Sequence, residues 1–211
     1  MRAREPDTEG YVDRDGFKLH WEVFGDGEPT LLLLPTWTVV HARFWKAQVP
    51  YLARHFRIVT YDGPGNGRSD RPEVPAPYRY EVQGRSVLAV LDATGTDRAV
   101  LVSLSEGGQW ALWAAAHHPG RVLGVVIARE RAPWPDEAIL RGRCARVRRP
   151  VLVIHGDEDE ISPPRCGAAL ARATGGALVV LEGAGHIPNA RDPVRVNLLV
   201  REFAESLSGR A

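Results

Sequence analysis

Cysteine is almost missing from this 211-residue chain, which has only Cys144 and Cys166. Their spacing fits neither a metal motif nor a disulfide framework, so a reducing cytoplasm is the expected setting. Lysine is equally scarce, at Lys18 and Lys46, and nearly all of the 27 basic residues are arginine. Charge of one sign is also lacking. The 27 basic and 26 acidic side chains leave a formal net charge of +1. That excludes the one-signed surface expected of a nucleic-acid or anionic-membrane binder. The short cluster Arg146, Arg148 and Arg149 has no interleaved aromatics and reads as solvated surface. Long apolar runs are absent too. The stretch 31–34 is among the longest, far short of a transmembrane helix. The opening residues, Met1-Arg2-Ala3-Arg4-Glu5-Pro6-Asp7, lack the apolar core of a signal peptide. No internal repeat or long linker stands out, and the one proline-rich stretch, 72–78, is short enough for a loop.

What remains is an ordinary globular composition, with 44% hydrophobic and 25% charged residues. Disorder, collagen and coiled coil are thereby excluded as global descriptions. A chain this long buries roughly 70% of the surface its unfolded form exposes, so it needs no metal or disulfide to fold. The expectation is one domain over residues 1–211.

Apolar and helical patterns alternate along the chain. Strands are expected at 16–24, 30–34, 57–61, 99–104, 122–128, 151–155 and 177–181. Between them lie helical spacings at 43–54 (interrupted by Pro50), 80–93, 106–118, 136–147, 164–174 and 192–207. Fully apolar strands separated by helices imply an α/β fold, a mostly parallel sheet with both faces covered. In such sheets the reactive residues sit on loops beyond the carboxyl ends of strands.

Three of those loops hold chemistry. The strand 99–104 runs through Ser103-Leu104-Ser105-Glu106-Gly107-Gly108 straight into a helix. So tight a turn strains its central residue and requires small side chains two positions to either side, as Ser103 and Gly107 are. This is the pattern of a nucleophile elbow, with Ser105 exposed at a helix N-terminus. The bland reading makes Ser105 an ordinary helix cap. A serine nucleophile needs a base, and the base an orienting acid. The loop after the next strand but one is acidic, His155-Gly156-Asp157-Glu158-Asp159-Glu160. The loop after the last strand reads Glu182-Gly183-Ala184-Gly185-His186-Ile187-Pro188. The chain order is therefore serine, acid, histidine, all at one edge of the sheet. The glycine-rich 63–67 stretch lacks the Gly-Lys-Ser/Thr ending of a phosphate loop and reads as a turn beneath the elbow.

Together with Leu33-Leu34-Pro35-Thr36-Trp37 and Asp62-Gly63-Pro64-Gly65-Asn66-Gly67-Arg68-Ser69, these motifs resemble the α/β-hydrolase superfamily over residues 11–207. The similarity is greatest to its bacterial carboxylesterase and cofactor-free haloperoxidase members. The resemblance implies a mostly parallel sheet of about eight strands and no cofactor or metal. It makes Ser105 the nucleophile, His186 the general base and Asp159 the acid that orients it. Asp157 is the nearest rival for the acid, and Glu130 a remoter one. It also implies an oxyanion hole from the backbone N–H groups of Trp37 and Glu106, with Pro35-Thr36-Trp37 departing from the usual His-Gly-x. The Glu106 side chain is expected to point away from that hole, at a helix end that suits an acid.

Relatives often insert a helical lid after the strand at 122–128. Here the 129–150 interval has room for a crossover helix only, so little or no cap is expected. Thr36, Trp134 and Ile187 are the expected pocket residues, and Trp37 a further aromatic wall, whereas Trp110 and Trp113 read as core. The expected activity is hydrolysis of a small-molecule carboxylic ester, with no nucleic-acid or membrane partner. Thioesterase, lactonase, C–C hydrolase and perhydrolase chemistry share the scaffold. A ligand-binding protein that has lost catalysis, or an interaction module, are the readings outside enzymes.

Overall fold

The structure, a computed structural model, describes residues 4–36, 40–128 and 137–208. Its strands are β1 (Thr8–Arg14), β2 (Phe17–Phe24), β3 (Leu31–Leu33), β4 (Ile58–Tyr61), β5 (Ala99–Leu104), β6 (Val122–Ala128), β7 (Val151–Gly156) and β8 (Ala177–Leu181). They form one sheet in the order β1-β2-β4-β3-β5-β6-β7-β8. β1 and β2 pair antiparallel, as do β2 and β4, and every other neighbour pairs parallel. Seven of the eight strands were legible in the sequence, β2 by its alternation and the others as apolar runs. β1 was not, because only Val12 is an aliphatic in it and most of its side chains face solvent. It is held by a hairpin whose turn residues, Asp15 and Gly16, both have positive φ (54° and 88°).

The parallel strands alternate their side chains onto two cores. Leu32, Leu101, Val125, Ile127 and Val153 enter one core. Leu31, Leu33, Val100, Val126 and Ile154 enter the other. Each such fully buried side chain contributes about 1.5–3 kcal/mol. The helices α2 (Tyr80–Ala93), α3 (Glu106–His117) and α5 (Pro164–Thr174) cover the first face. The short α1 (Val49–Leu52) and the long α7 (Pro193–Ser208) cover the second. Trp110 and Trp113 are core residues, each 7% exposed, as their helical spacing implied.

The 43–54 segment is not one helix. Pro50 falls in its middle, and the chain forms a 3-10 turn over Ala42–Ala47 followed by α1. Of the 129–150 interval, the described part holds one short helix, α4 (Glu137–Cys144), and then runs into β7. No cap domain is present among the described residues. The sheet order changes direction at β3, which has β4 on one side and β5 on the other. The loops leaving β3 and β5 therefore face each other across the crevice where ligands bind in open α/β sheets.

Candidate active site

Ser105 sits where β5 hands over to α3, with φ 55° and ψ −124°. Backbone this far from the favoured regions costs about 1–3 kcal/mol and has to be held by its surroundings. Two small neighbours hold it. Ser103 is fully buried and donates its Oγ hydrogen to the Val126 carbonyl at 3.0 Å. That bond anchors the elbow to β6, and the glycine usual at this position could not make it. Gly107 comes so close to the β3 loop that a Cβ there would lie 2.6 Å from the Pro35 carbonyl oxygen. The Ser105 side chain makes no capping hydrogen bond to α3, which removes the bland reading of this serine.

His186 lies on the loop after β8, between Gly183 and a further short helix, α6 (Pro188–Arg191). Its Nδ1 is 2.8 Å from Asp159 Oδ1. The Asp159 carboxylate is fully buried, and the same oxygen also accepts from the backbone N–H groups of Ile161 (3.0 Å) and Ser162 (2.8 Å). An ionised carboxylate only accepts hydrogen bonds, so Nδ1 carries the imidazole proton and Nε2 the lone pair. Asp157, the rival acid, is occupied elsewhere. Its Oδ1 accepts from the Gly183 N–H at 2.8 Å and so ties the acid loop to the histidine loop. Glu158 N–H to Ala184 O, at 3.0 Å, ties them a second time.

One supporting residue was missed in the sequence. His155 is fully buried below Asp159, and its Nε2 donates to the Ser162 carbonyl at 2.7 Å. It fixes the turn whose N–H groups hold the acid. The signal was its place in a His-Gly pair at the end of an apolar strand.

Ser105 and His186 line one cavity of about 790 Å3, together with Thr36, Phe44, Leu104 and Ile187. Thr36 and Ile187, two of the residues expected at a pocket, thus line the same cavity as Ser105. Phe44, on the 3-10 turn, lines the cavity while packing against the second core. Trp37, Glu130 and Trp134 lie outside the described residues. Glu106 occupies the first position of α3, where its backbone N–H follows the elbow.

A second polar cluster lies under β1 and β2. Glu9, His20 and Glu22 bring ligand-type atoms within 4.8 Å of one another. Arg68 occupies that space, with Nη1 bonded to Glu9 Oε2 and 3.0 Å from His20 Nε2. The guanidinium takes the place a metal ion would need, so the cluster is an arginine-centred network. Arg68 draws the Glu9 carboxyl below its ordinary value, whereas burial pushes Glu22 above its own. The neighbouring Asp62 accepts from the N–H groups of Ala42 (2.7 Å) and Arg68 (3.0 Å), pinning the start of the 3-10 turn that walls the cavity.

Residues 29–142 match the family model described as the alpha/beta hydrolase fold. A Caulobacter segnis protein named as a carbamate hydrolase, RutD, is 34% identical over 135 residues, covering 64% of this chain and 49% of its own length. The 3-oxoadipate enol-lactonase 2 of Acinetobacter baylyi is 28% identical over 130 residues, covering 62% of this chain and 48% of its own. The chain thus spans about half the length of the curated relatives it matches. The crystal structure of a hydrolase from Pseudomonas aeruginosa superposes with a TM-score of 0.83 at 26% identity, covering 93% of this chain and 98% of that one.

Proposed function

The chain belongs to the α/β-hydrolase fold family, and on that premise we propose that it is a serine hydrolase of short- to medium-chain carboxylic esters. One observation carries the reading. Ser105, on a strained elbow with no capping bond, shares a cavity with a histidine whose Nδ1 is held by a buried aspartate.

In this mechanism Ser105 Oγ attacks the ester carbonyl while His186 Nε2 takes its proton. Asp159 holds the imidazole in the required tautomer and stabilises the imidazolium that forms. The Glu106 N–H, with that of Trp37 as partner, receives the oxyanion. Collapse breaks the bond to the alcohol, which leaves with the proton from His186. Water then loses a proton to His186 and attacks the acyl-enzyme, releasing the acid and restoring Ser105. No step needs a cofactor.

Lactones are cyclic esters and would react by the same steps, a variant favoured by the likeness to an enol-lactonase. Neither cysteine forms a disulfide, and no helix among the described residues is long and apolar enough to cross a membrane. Both facts suit a protein working on a small molecule in a reducing compartment.

The test is hydrolysis of p-nitrophenyl esters from acetate to decanoate by the wild type and Ser105→Ala. Turnover that disappears in the variant supports the mechanism. Equal background rates in both would put a non-catalytic ligand-binding role in its place.

A further inference from the structure

The walls of the cavity differ sharply in character. Around Ser105 they are apolar, with Leu104, Phe44, Ile161 and Ile187. Farther along they carry His41, Arg43 and Lys46, all three exposed, and no aspartate or glutamate is among the described lining residues. Lys46 is one of only two lysines in the chain. Arg43 and Lys46 lie three apart on the 3-10 turn Ala42–Ala47. With three residues per turn, such a pair stacks on one face.

The two cations belong to no ion pair among the described residues. Behind the turn the buried Glu22 feels the Arg43 charge, but it does not line the cavity that holds Ser105. A small adjoining cavity is lined by Arg43 and Lys46 together with Glu22 and with Arg4, which pairs with Asp7 at 3.0 Å, so the Arg4 charge on that side is balanced. Across His186, Glu158 and Arg191 contribute one charge of each sign and leave the balance unchanged.

From this arrangement we infer that the site selects esters or lactones whose acyl chain ends in an anionic group, a carboxylate above all. Arg43 and Lys46 take the anion, and the apolar wall spans the methylenes between it and the scissile carbonyl. The inference rests on the hydrolase reading for its reaction, but the anion recognition can be measured without catalysis. Exposed cations of this kind act through complementarity and raise the local concentration of an oppositely charged ligand.

Two measurements test it together. The first is calorimetric binding of monomethyl adipate and of dimethyl adipate to Ser105→Ala. The monoanion is expected to bind at least about tenfold more tightly, the gap narrowing as salt rises. The second is kcat/KM of the wild type for the same two esters, with the same direction of preference. Arg43→Gln/Lys46→Gln should bring both ratios to within about twofold of unity. The charge-retaining Arg43→Lys/Lys46→Arg should keep them, which a purely structural role of these side chains would not predict. Preferential binding without turnover in the wild type would sink the hydrolase reading and leave the anion site standing. Turnover without preference would do the reverse. Neither binding preference nor turnover would refute both.

Discussion

Replacing Asp159 by asparagine separates its charge from its geometry. Asp159 Oδ1 accepts from two backbone N–H groups and from His186 Nδ1. An asparagine there must therefore put its oxygen, not its amide nitrogen, at that position. His186 then keeps its Nδ1 proton and its orientation. What disappears is the negative charge that faces the imidazolium in the transition state. At about 4 Å and an effective dielectric near 20, that attraction is about 4 kcal/mol. A neutral hydrogen bond to the amide oxygen recovers about 1 kcal/mol. The net loss of about 3 kcal/mol corresponds to roughly a hundredfold fall in kcat. Where such a change flips the histidine tautomer, the loss is about ten-thousandfold, so the two cases are well separated. The alanine variant should behave differently again. It leaves the buried Ser162 N–H without an acceptor, at about 1–3 kcal/mol, and the part-buried Ile161 N–H to water, and should lower the melting temperature clearly while the asparagine variant barely moves it. The assay is kcat on a p-nitrophenyl ester, paired with thermal unfolding of both variants. A fall of less than threefold in Asp159→Asn would refute the role given to the charge. A fall of ten-thousandfold or more would refute the argument that the loop dictates the amide's orientation.

Ser105→Gly should abolish turnover and yet raise stability by about 1–2 kcal/mol, because glycine accepts a positive φ without strain. At about 2–4 °C per kcal/mol for a chain of this size, calorimetry would resolve the rise in melting temperature. Gly107→Ala places a methyl group against the Pro35 carbonyl and should cost about 1–3 kcal/mol in urea unfolding. Its activity should fall further than the unfolded fraction explains, since the displaced loop carries Thr36 into the cavity wall. Glu22 has a carboxyl pKa raised from 4.5 by burial. The folded state thus holds its proton more tightly than the unfolded state, so the Glu22 contribution to stability is greatest below pH 4.5 and is lost as pH rises through the folded value. Glu22→Gln should accordingly raise the melting temperature at pH 7 and leave it unchanged at pH 4.

The central strands and most helices were legible because each buries a face and so carries a period. The elbow was legible because its steric demands allow so few residues. β1 was silent for the opposite reason: it is an edge strand with almost no apolar face, and only the Asp15-Gly16 turn marks it. Asp159 was preferred to Asp157 only through the family resemblance. Both are acids near the end of β7, and what distinguishes them is a hydrogen bond to a residue more than twenty positions away in each case. The cavity walls were hardest to read. A 3-10 turn and an α-helix share much of their sequence signal, and the sequence did not show that Arg43, Phe44 and Lys46 line the cavity.

The Asp62 carboxylate anchors the turn that bears Arg43 and Lys46, yet it is absent from the cavity lining. Gly67, with φ 48°, packs so tightly on that carboxylate that any Cβ would land on it. Asp62 and Gly67 therefore form one steric unit. Drift at either position alone would release the recognition turn without altering a residue that meets the ligand. The shape of the cavity wall is thus open to revision from a contact one layer behind it, and a search for variants with altered ligand preference could begin there.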